Sequence, residues 1–167
     1  MSNTTPDTFV LPSSIASPQD LTSVILEIKQ YASWYNNELI KQRARVNKPA
    51  DQPELSPAAV DILRLYATNH TIDKSGLGSL ITLLESLSSS SPVITITLAA
   101  PATPSIKATL TTWCRQNIAT NILVSFRFNS TLLGGMVVRH GSRIFDWSFR
   151  TQLMKNAPKI PEILSRV

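Results

Sequence analysis

The feature that most constrains this chain is a pair of adjacent glycines, Gly134 and Gly135, inside a short apolar run near its end. That run, 132–138, and a second one, 143–147, flank a small turn that contains Gly141. Two such runs around a glycine turn are typical of a β-hairpin. Glycines inside the first strand indicate a bulge or a close approach by another backbone. The sequence therefore predicts a hairpin with a special local shape.

A short helix is predicted directly after the hairpin. The hydroxyl of Ser148 can accept a hydrogen bond from a free backbone N–H of the first helical turn. Phe149 and Leu153 are spaced to share one face of that helix.

The hairpin and helix together resemble the C-terminal signature of the ATP synthase delta subunit, whose mitochondrial counterpart is the oligomycin-sensitivity-conferring protein. The matching positions are Leu132-Leu133-Gly134-Gly135-Met136-Val137-Val138, Gly141-Ser142-Arg143, Asp146, Ser148, Arg150 and Leu153. Trp147 departs from the family pattern, which usually has glycine at this strand-to-helix corner. The resemblance covers about residues 92–153, and upstream it reduces to a shared helical architecture.

Length and composition set the limits for the rest of the chain. With 167 residues and 43% hydrophobic content, it can bury one substantial core or two small ones. Its apolar runs are far shorter than a membrane span, and its first residues lack the features of a secretory signal. The single cysteine, Cys114, cannot form an internal disulfide. We expect a soluble protein in a reducing cytoplasm.

The first half of the chain predicts an irregular arm, 1–16, followed by a helical domain, 17–90. Ser17-Pro18 starts a helix whose apolar residues recur at threes and fours, and it extends to about residue 46. Such a helix measures roughly 40 Å, so part of it should project or lie against another chain. Prolines mark a connection at 47–54.

Two further helices complete the predicted small bundle. The second runs from Ser56-Pro57 to Asn69, and Asp73 or Ser75 caps the third. The aromatic side chains of the long helix are either ordinary core and surface residues or part of a groove for a partner helix. They are Tyr31, Trp34 and Tyr35.

The second half predicts an α+β domain, 91–167. Four serines, 88–91, precede Pro92 and predict a linker or sharp crossing. A strand at 93–98, a helix from Thr103, a strand at 122–128, the hairpin and the last helix then follow in order. The fold class is therefore α+β, with a small helical bundle containing one long helix and a sheet-plus-helix domain. The tail from Lys155 contains Pro158 and Pro161 and cannot be one regular helix.

No motif of the sequence predicts an active site. The glycines lack the Lys and Ser/Thr of a phosphate-binding loop, so neither a nucleotide nor another cofactor is expected. Asp146, Ser148 and His140 are residue types of a hydrolytic triad, but the usual nucleophile turn is missing, and a helix cap and a turn residue explain them better. His70 has no partners at metal-ligand spacing. We expect neither enzymatic activity nor a small-molecule substrate.

The charge is unevenly distributed and leaves nucleic-acid binding as the alternative function. Residues 1–91 carry seven basic and nine acidic side chains, net −2, whereas residues 92–167 carry nine and two, net +7. Phe126-Arg127-Phe128 on a basic domain could stack bases and contact phosphates. However, both phenylalanines share a face with Ile122 and Val124, so we expect them in the core.

The resemblance implies a non-catalytic stator subunit of an F-type ATP synthase, peripheral on the cytoplasmic face of the inner (plasma) membrane. It would join the catalytic head to the peripheral stalk and resist rotor torque during proton-driven ATP synthesis. The implied partners are the N-terminal segments of the head's alpha subunits, facing the long helix, and b-type stalk subunits, bound by the second domain. The family's first domain is normally a six-helix bundle, whereas this chain has room for about three helices.

The resemblance and the apolar pattern point to eight residues for the stalk contact, with a place in the core as the alternative for several of them. They are Leu132, Leu133, Met136, Val138 and Phe149, with Arg139, Arg143 and Arg150 at the rim.

Overall fold

The computed structural model describes residues 9–45 and 51–159. Within it the chain forms two compact units that divide between Ser91 and Pro92. The expectations for most of the N-terminal arm, for the first half of the 47–54 connection and for the tail around Pro161 lie outside the described residues.

Three helices form the first unit: α1, Pro18–Arg43; α2, Pro57–Ala67; and α3, Lys74–Ser90. The predicted long helix is confirmed, and its 26 residues correspond to about 39 Å. Its start is fixed by a capping box, in which the Ser17 hydroxyl accepts from the Asp20 N–H and the Asp20 carboxylate accepts from the Ser17 N–H. Asp73 caps α3 in a similar way, by accepting from the N–H of Gly76.

Only the first half of α1 is packed into the core of this unit. Its buried residues are Leu21, Val24, Ile25 and Ile28, and they face α3 and α2. An ion pair between Lys29 and Glu85, 2.6 Å long, adds a tie to α3. Beyond Ile28 no described residue of α1 is buried. The second half of the helix is therefore only partly covered by its own unit.

Of the two predictions for the four serines, the structure shows the sharp crossing and not a serine linker, since α3 ends at Ser90 and the next strand begins at Val93. Helix α3 continues through Ser90, and only Ser91 adopts an extended conformation. The hydroxyls of Ser89 and Ser90 donate to the carbonyl oxygen of Ser86 at 2.9 and 2.7 Å. Serine side chains that bond the preceding turn in this way can remain in a helix, so composition alone misplaced its end.

The described part of the second unit, up to residue 159, contains one sheet and two α-helices, which confirms the α+β fold class. Its elements in chain order are β1, Val93–Leu98; α4, Pro104–Asn117; β2, Leu123–Phe128; β3, Met136–His140; β4, Arg143–Asp146; and α5, Phe149–Asn156. The strand order is β2-β1-β3-β4. β1 and β2 are parallel, joined by the α4 crossover, and the other two pairs are antiparallel.

The first hairpin strand begins later than the sequence predicts. Ser130–Leu132 forms a 3-10 turn, and β3 starts only at Met136. Leu133 and Gly135 have φ angles of 62° and 73°, which no regular strand tolerates. The glycine pair therefore precedes the hairpin instead of interrupting its first strand.

The core of this unit lies between α4 and one face of the sheet. Its fully buried members are Ile94, Ile96, Cys114, Ile122 and Val124. Burial raises the pKa of the Cys114 thiol, so this side chain behaves as a small apolar residue. α4 therefore covers part of this face of the sheet, and the rest of the face remains open.

Replacing the capping serine of α1 should destabilise the protein measurably. Ser17→Ala removes the acceptor for the Asp20 N–H, and we expect the free energy of unfolding to fall by about 1 kcal/mol. Ser23→Ala is the control, because Ser23 is exposed inside the same helix and alanine is the better helix former. Urea unfolding followed by circular dichroism compares the two. Equal midpoints would show that the cap contributes nothing.

Candidate functional site

An open apolar groove lies on the second unit, between α4 and the β3–β4 hairpin. Its volume is about 530 Å³. We call it the aromatic groove, and its lining residues are Thr109, Leu110, Trp113, Cys114 and Ile118 from α4; Ile94, Ile96, Met136, Val138 and His140 from β1 and β3; and Phe145 and Trp147 from β4 and its end. It continues the apolar face of the sheet past the edge of α4.

The strand register explains why these side chains meet. Ile96 pairs with Val138, and Val138 pairs with Phe145, so the three lie in one row on one face of the sheet. This row forms the floor and one wall of the groove. Trp113 of α4 stands on the opposite wall. The wall side chains remain largely exposed: Trp113 at 55%, Phe145 at 44% and Trp147 at 52%.

The aromatic wall on the β4 side is a stacked pair. The ring centroids of Phe145 and Trp147 are 5.9 Å apart, and the ring planes differ by 19°. Stacked rings at this distance hold each other's orientation. The groove therefore has a preformed wall, and an apolar surface of this kind on a folded unit indicates an interaction site.

The glycine pair holds the corner from which Trp147 projects. A Cβ on Gly135 would collide with the carbonyl oxygen of Trp147, and the Trp147 N–H donates to the Met136 carbonyl at 2.9 Å. The predicted close approach by another backbone is confirmed. Only glycine accommodates both this contact and the positive φ.

Gly134 holds the residue on the other side of the corner. Its carbonyl accepts from the Phe149 N–H at 3.0 Å, and an added Cβ would lie 2.5 Å from Cδ2 of the Phe149 ring. Phe149 thus packs over the glycine while it remains 55% exposed.

Asp146, Ser148 and Thr151 complete the corner. The Asp146 carboxylate accepts from the Ser148 N–H at 2.9 Å and from the Thr151 hydroxyl at 2.7 Å. Hydrogen bonds from Ser148 and Thr151 hold the pKa of Asp146 below its ordinary value. Ser148 is 1% exposed and caps α5, with its hydroxyl accepting from the Thr151 N–H. These contacts agree with the structural interpretation of Asp146 and Ser148.

The structure places the eight residues proposed for the stalk contact in different surroundings. Leu132 is 8% exposed and belongs to the interior of the unit, whereas Leu133 is 67% exposed. Met136 and Val138 lie in the floor of the aromatic groove. Arg143 pairs with His140 at one end of the same face.

The other three predicted residues lie away from the groove. Arg139 pairs with Thr95 and Ile144, on the opposite face of the sheet, and its Nε donates to the Gly141 carbonyl at 3.3 Å. Phe149 and Arg150 are exposed in the first turn of α5. The structure therefore brings only Met136 and Val138 of the eight together in the groove, with Arg143 beside the groove residue His140, and leaves the rest dispersed.

The sequence analysis missed the residues that form the walls of the groove. The sequence placed Trp113 on an apolar helix face with Leu110 and Cys114, and it placed Phe145 and Trp147 in the hairpin and its corner, but it did not predict that these residues share a surface. One signal was available: Phe145 and Trp147 are two residues apart, so in a strand both point to one face.

A second exposed apolar surface lies on the first unit, along the second half of α1. Tyr31 contacts the rings of Trp34 and Tyr35, with centroids 5.5 and 6.5 Å apart. An open depression of about 550 Å³ runs beside this half and has Trp34 and Ile40 in its lining. Ile40 is 64% exposed. We call this region the α1 surface.

The pattern that suggested nucleic-acid binding lies at the free edge of the sheet. Phe126 packs partly against the core, as expected, but Phe128 is 56% exposed, so its predicted core position is wrong. Phe128 is the last residue of the edge strand β2. Periodicity identifies the face of a strand, but it does not show how far along the strand the covering layer extends.

Comparison with protein families identifies a match over most of the chain. The model of the family described as ATP synthase delta (OSCP) subunit matches residues 19–159. A search of curated proteins found no match. No described helix has the length and hydrophobicity needed to cross a membrane. Within residues 9–45 and 51–159, no group of three His, Cys, Asp or Glu side chains could hold a metal ion.

Replacing Gly135 should lower the free energy of unfolding more than replacing another glycine of similar backbone conformation. Gly141→Ala is the matched control, because its φ is 59° and nothing lies within 4 Å of an added Cβ. That variant should lose about 1–2 kcal/mol of unfolding free energy, from the left-handed backbone alone. Gly135→Ala should lose about 1–3 kcal/mol more through its collision with Trp147. Urea unfolding measures both, and equal losses would contradict the close packing.

Proposed function

The chain belongs to the ATP synthase delta (OSCP) subunit family, whose members are structural subunits of the stator, and from that premise we propose that it joins the catalytic head of an F-type ATP synthase to the peripheral stalk. A connecting part needs one surface for each partner. The observation that carries the proposal is the aromatic groove, an apolar surface that the second unit does not use for its own core. In this role the chain resists rotor torque during proton-driven ATP synthesis and needs no active site of its own.

The groove favours a helix as its occupant. Its floor strands, β1 and β3, are already paired with neighbours on both sides, so their backbone groups cannot bond an added strand. Most of the lining is apolar, with Thr109 and His140 as its hydroxyl and imidazole groups. An extended peptide would bury unsatisfied N–H and C=O groups there, whereas a helix satisfies its own. We therefore assign the groove to an amphipathic helix of a b-type stalk subunit.

Charge supports an acidic partner for the second unit. Between residues 92 and 158 the chain carries seven basic side chains and a single acidic one, Asp146. That carboxylate is already engaged by Ser148 and Thr151. Arg143 and His140 lie at one end of the groove, where they can attract acidic residues flanking the apolar face of the bound helix.

The α1 surface is the proposed contact for the N-terminal segments of the head's alpha subunits. The first unit has three helices among its described residues, and α2 and α3 bury residues only in the first half of α1. The second half carries a partly buried aromatic cluster and the exposed Ile40, which suit an amphipathic segment. The bundle can thus dock through the part of its long helix that it only partly covers.

These contacts also account for the proposed location. Bound to the head and to the stalk, the chain would be a peripheral component of the enzyme on the cytoplasmic face of the inner (plasma) membrane. Its attachment would come from protein contacts in both units and would require neither a cofactor nor a small-molecule ligand.

Stalk binding should depend on which face of β4 is changed. Phe145→Asp places a charge in the groove wall, and we expect on the order of tenfold or greater loss of affinity for the soluble part of the b-type subunit. Ile144→Asp is the matched control, since Ile144 is 62% exposed on the opposite face of the same strand. Isothermal titration calorimetry measures both variants, with circular dichroism to check folding.

The same experiment can overturn the assignment. Equal affinity of the Phe145→Asp variant and the wild-type protein for the stalk fragment would remove the groove from the stalk interface. Loss of binding in Leu133→Asp alone would move the interface to the exposed loop before β3, because Leu133 is the most exposed of the five apolar residues predicted from the sequence.

Head binding should depend on the second half of α1. Ile40→Asp should weaken binding to assembled catalytic heads on the order of tenfold, because Ile40 is exposed in the α1 surface. Leu26→Asp is the control, since Leu26 is 55% exposed on the first half of the same helix. Co-sedimentation with purified heads distinguishes the two. A larger effect at Leu26 would place the head contact elsewhere.

A further inference from the structure

Trp147 is held more firmly than an exposed aromatic side chain usually is. Its backbone N–H donates to the Met136 carbonyl, and its backbone carbonyl lies against Gly135. The next residue is fixed as well, because Ser148 is buried and its N–H donates to Asp146. The backbone on both sides of the Trp147 side chain is therefore pinned to the sheet.

The direction of the indole is fixed by its neighbour. Trp147 stacks on Phe145, and both line the aromatic groove opposite Trp113. Yet 52% of Trp147 remains exposed, so its burial in the core does not explain its presence. A large side chain that is rigidly held and half exposed in a groove has a shape that a partner must match.

We propose that Trp147 is the specificity-determining residue of the aromatic groove, by limiting the size of the side chains that a bound helix can present between Trp113 and Trp147. The inference rests on the proposed stalk contact and adds the chemistry of the partner. The distance of a packed helix from its support depends on the side chains at the contact. A helix with Gly, Ala or Ser facing the indoles can reach the floor at Ile96 and Val138. A helix with Leu or Phe there is kept away from it.

The departure from the family pattern makes this testable. With glycine at position 147 the β4 wall would lack the indole, and a bound helix could carry larger side chains at the facing position. Such a helix should fit poorly into the present groove. The chain should therefore discriminate between its own b-type subunit and one that pairs with a glycine-bearing delta subunit.

Binding of two stalk fragments to the full-length chain tests the inference. The probes are the soluble part of the chain's own b-type subunit and that of a b-type subunit paired with a glycine-bearing delta subunit. The wild-type protein should bind its own fragment about tenfold or more tightly than the other, a difference of about 1.4 kcal/mol. Trp147→Gly should weaken binding of the chain's own fragment and remove most of the preference. Trp147→Phe, which keeps a ring against Phe145, should retain part of it.

The controls separate this inference from the proposed function. Ile144→Ala changes a neighbouring exposed side chain on the other face and should leave both affinities unchanged. Unchanged affinities in Trp147→Gly and Trp147→Phe would overturn the specificity role while leaving the stalk contact in place. If the wild-type protein binds neither fragment, the proposed function fails and the specificity role fails with it. Should Trp147→Gly lose its circular dichroism signal, Trp147→Phe and Phe145→Ala decide, because an unaltered preference in both would also overturn the role.

Discussion

The contact between Gly135 and the carbonyl of Trp147 is the constraint on which the second unit's surface depends. It allows the chain leaving β4 to return against the start of β3, where the N–H groups of Trp147 and Phe149 find the carbonyls of Met136 and Gly134. A side chain at position 135 would push these backbones apart. Because the same corner directs the indole of Trp147, a pair of residues without side chains determines the shape of the aromatic groove.

The two units expose an apolar surface for different structural reasons. In the second unit a sheet is wider than the helix that covers it, so part of its apolar face remains open beside α4. In the first unit a helix is longer than the bundle that holds it, and its second half remains only partly covered. In both cases the exposed part is continuous with a packed core. A load applied to either surface is therefore carried by buried contacts such as those of Ile28 or Ile96.

The elements with local signals could be predicted from the sequence. Ser17, Asp73, Thr103 and Ser148 each cap a helix, because a cap depends only on residues within one turn. The serine-rich end of α3 could not be predicted from composition, since its hydroxyls bond the preceding turn. At the candidate site, Met136 and Val138 of the predicted set both lie in the floor of the groove, because strand residues two apart share a face. The walls were missed because strand order and the width of α4 decide which apolar residues remain uncovered, and neither is a local property.

Charge and apolar surface contribute to partner recognition in different ways. Arginines of the second unit lie on more than one face: Arg143 near the groove, Arg139 on the opposite side of the sheet. Exposed charges separated in this way are screened by salt beyond about 10 Å, so they attract an acidic partner without selecting one helix among several. Selection requires a surface of fixed shape, and here that surface is the stacked pair of Phe145 and Trp147. Net charge thus promotes the encounter, whereas the rigid corner at Gly135 supplies the discrimination.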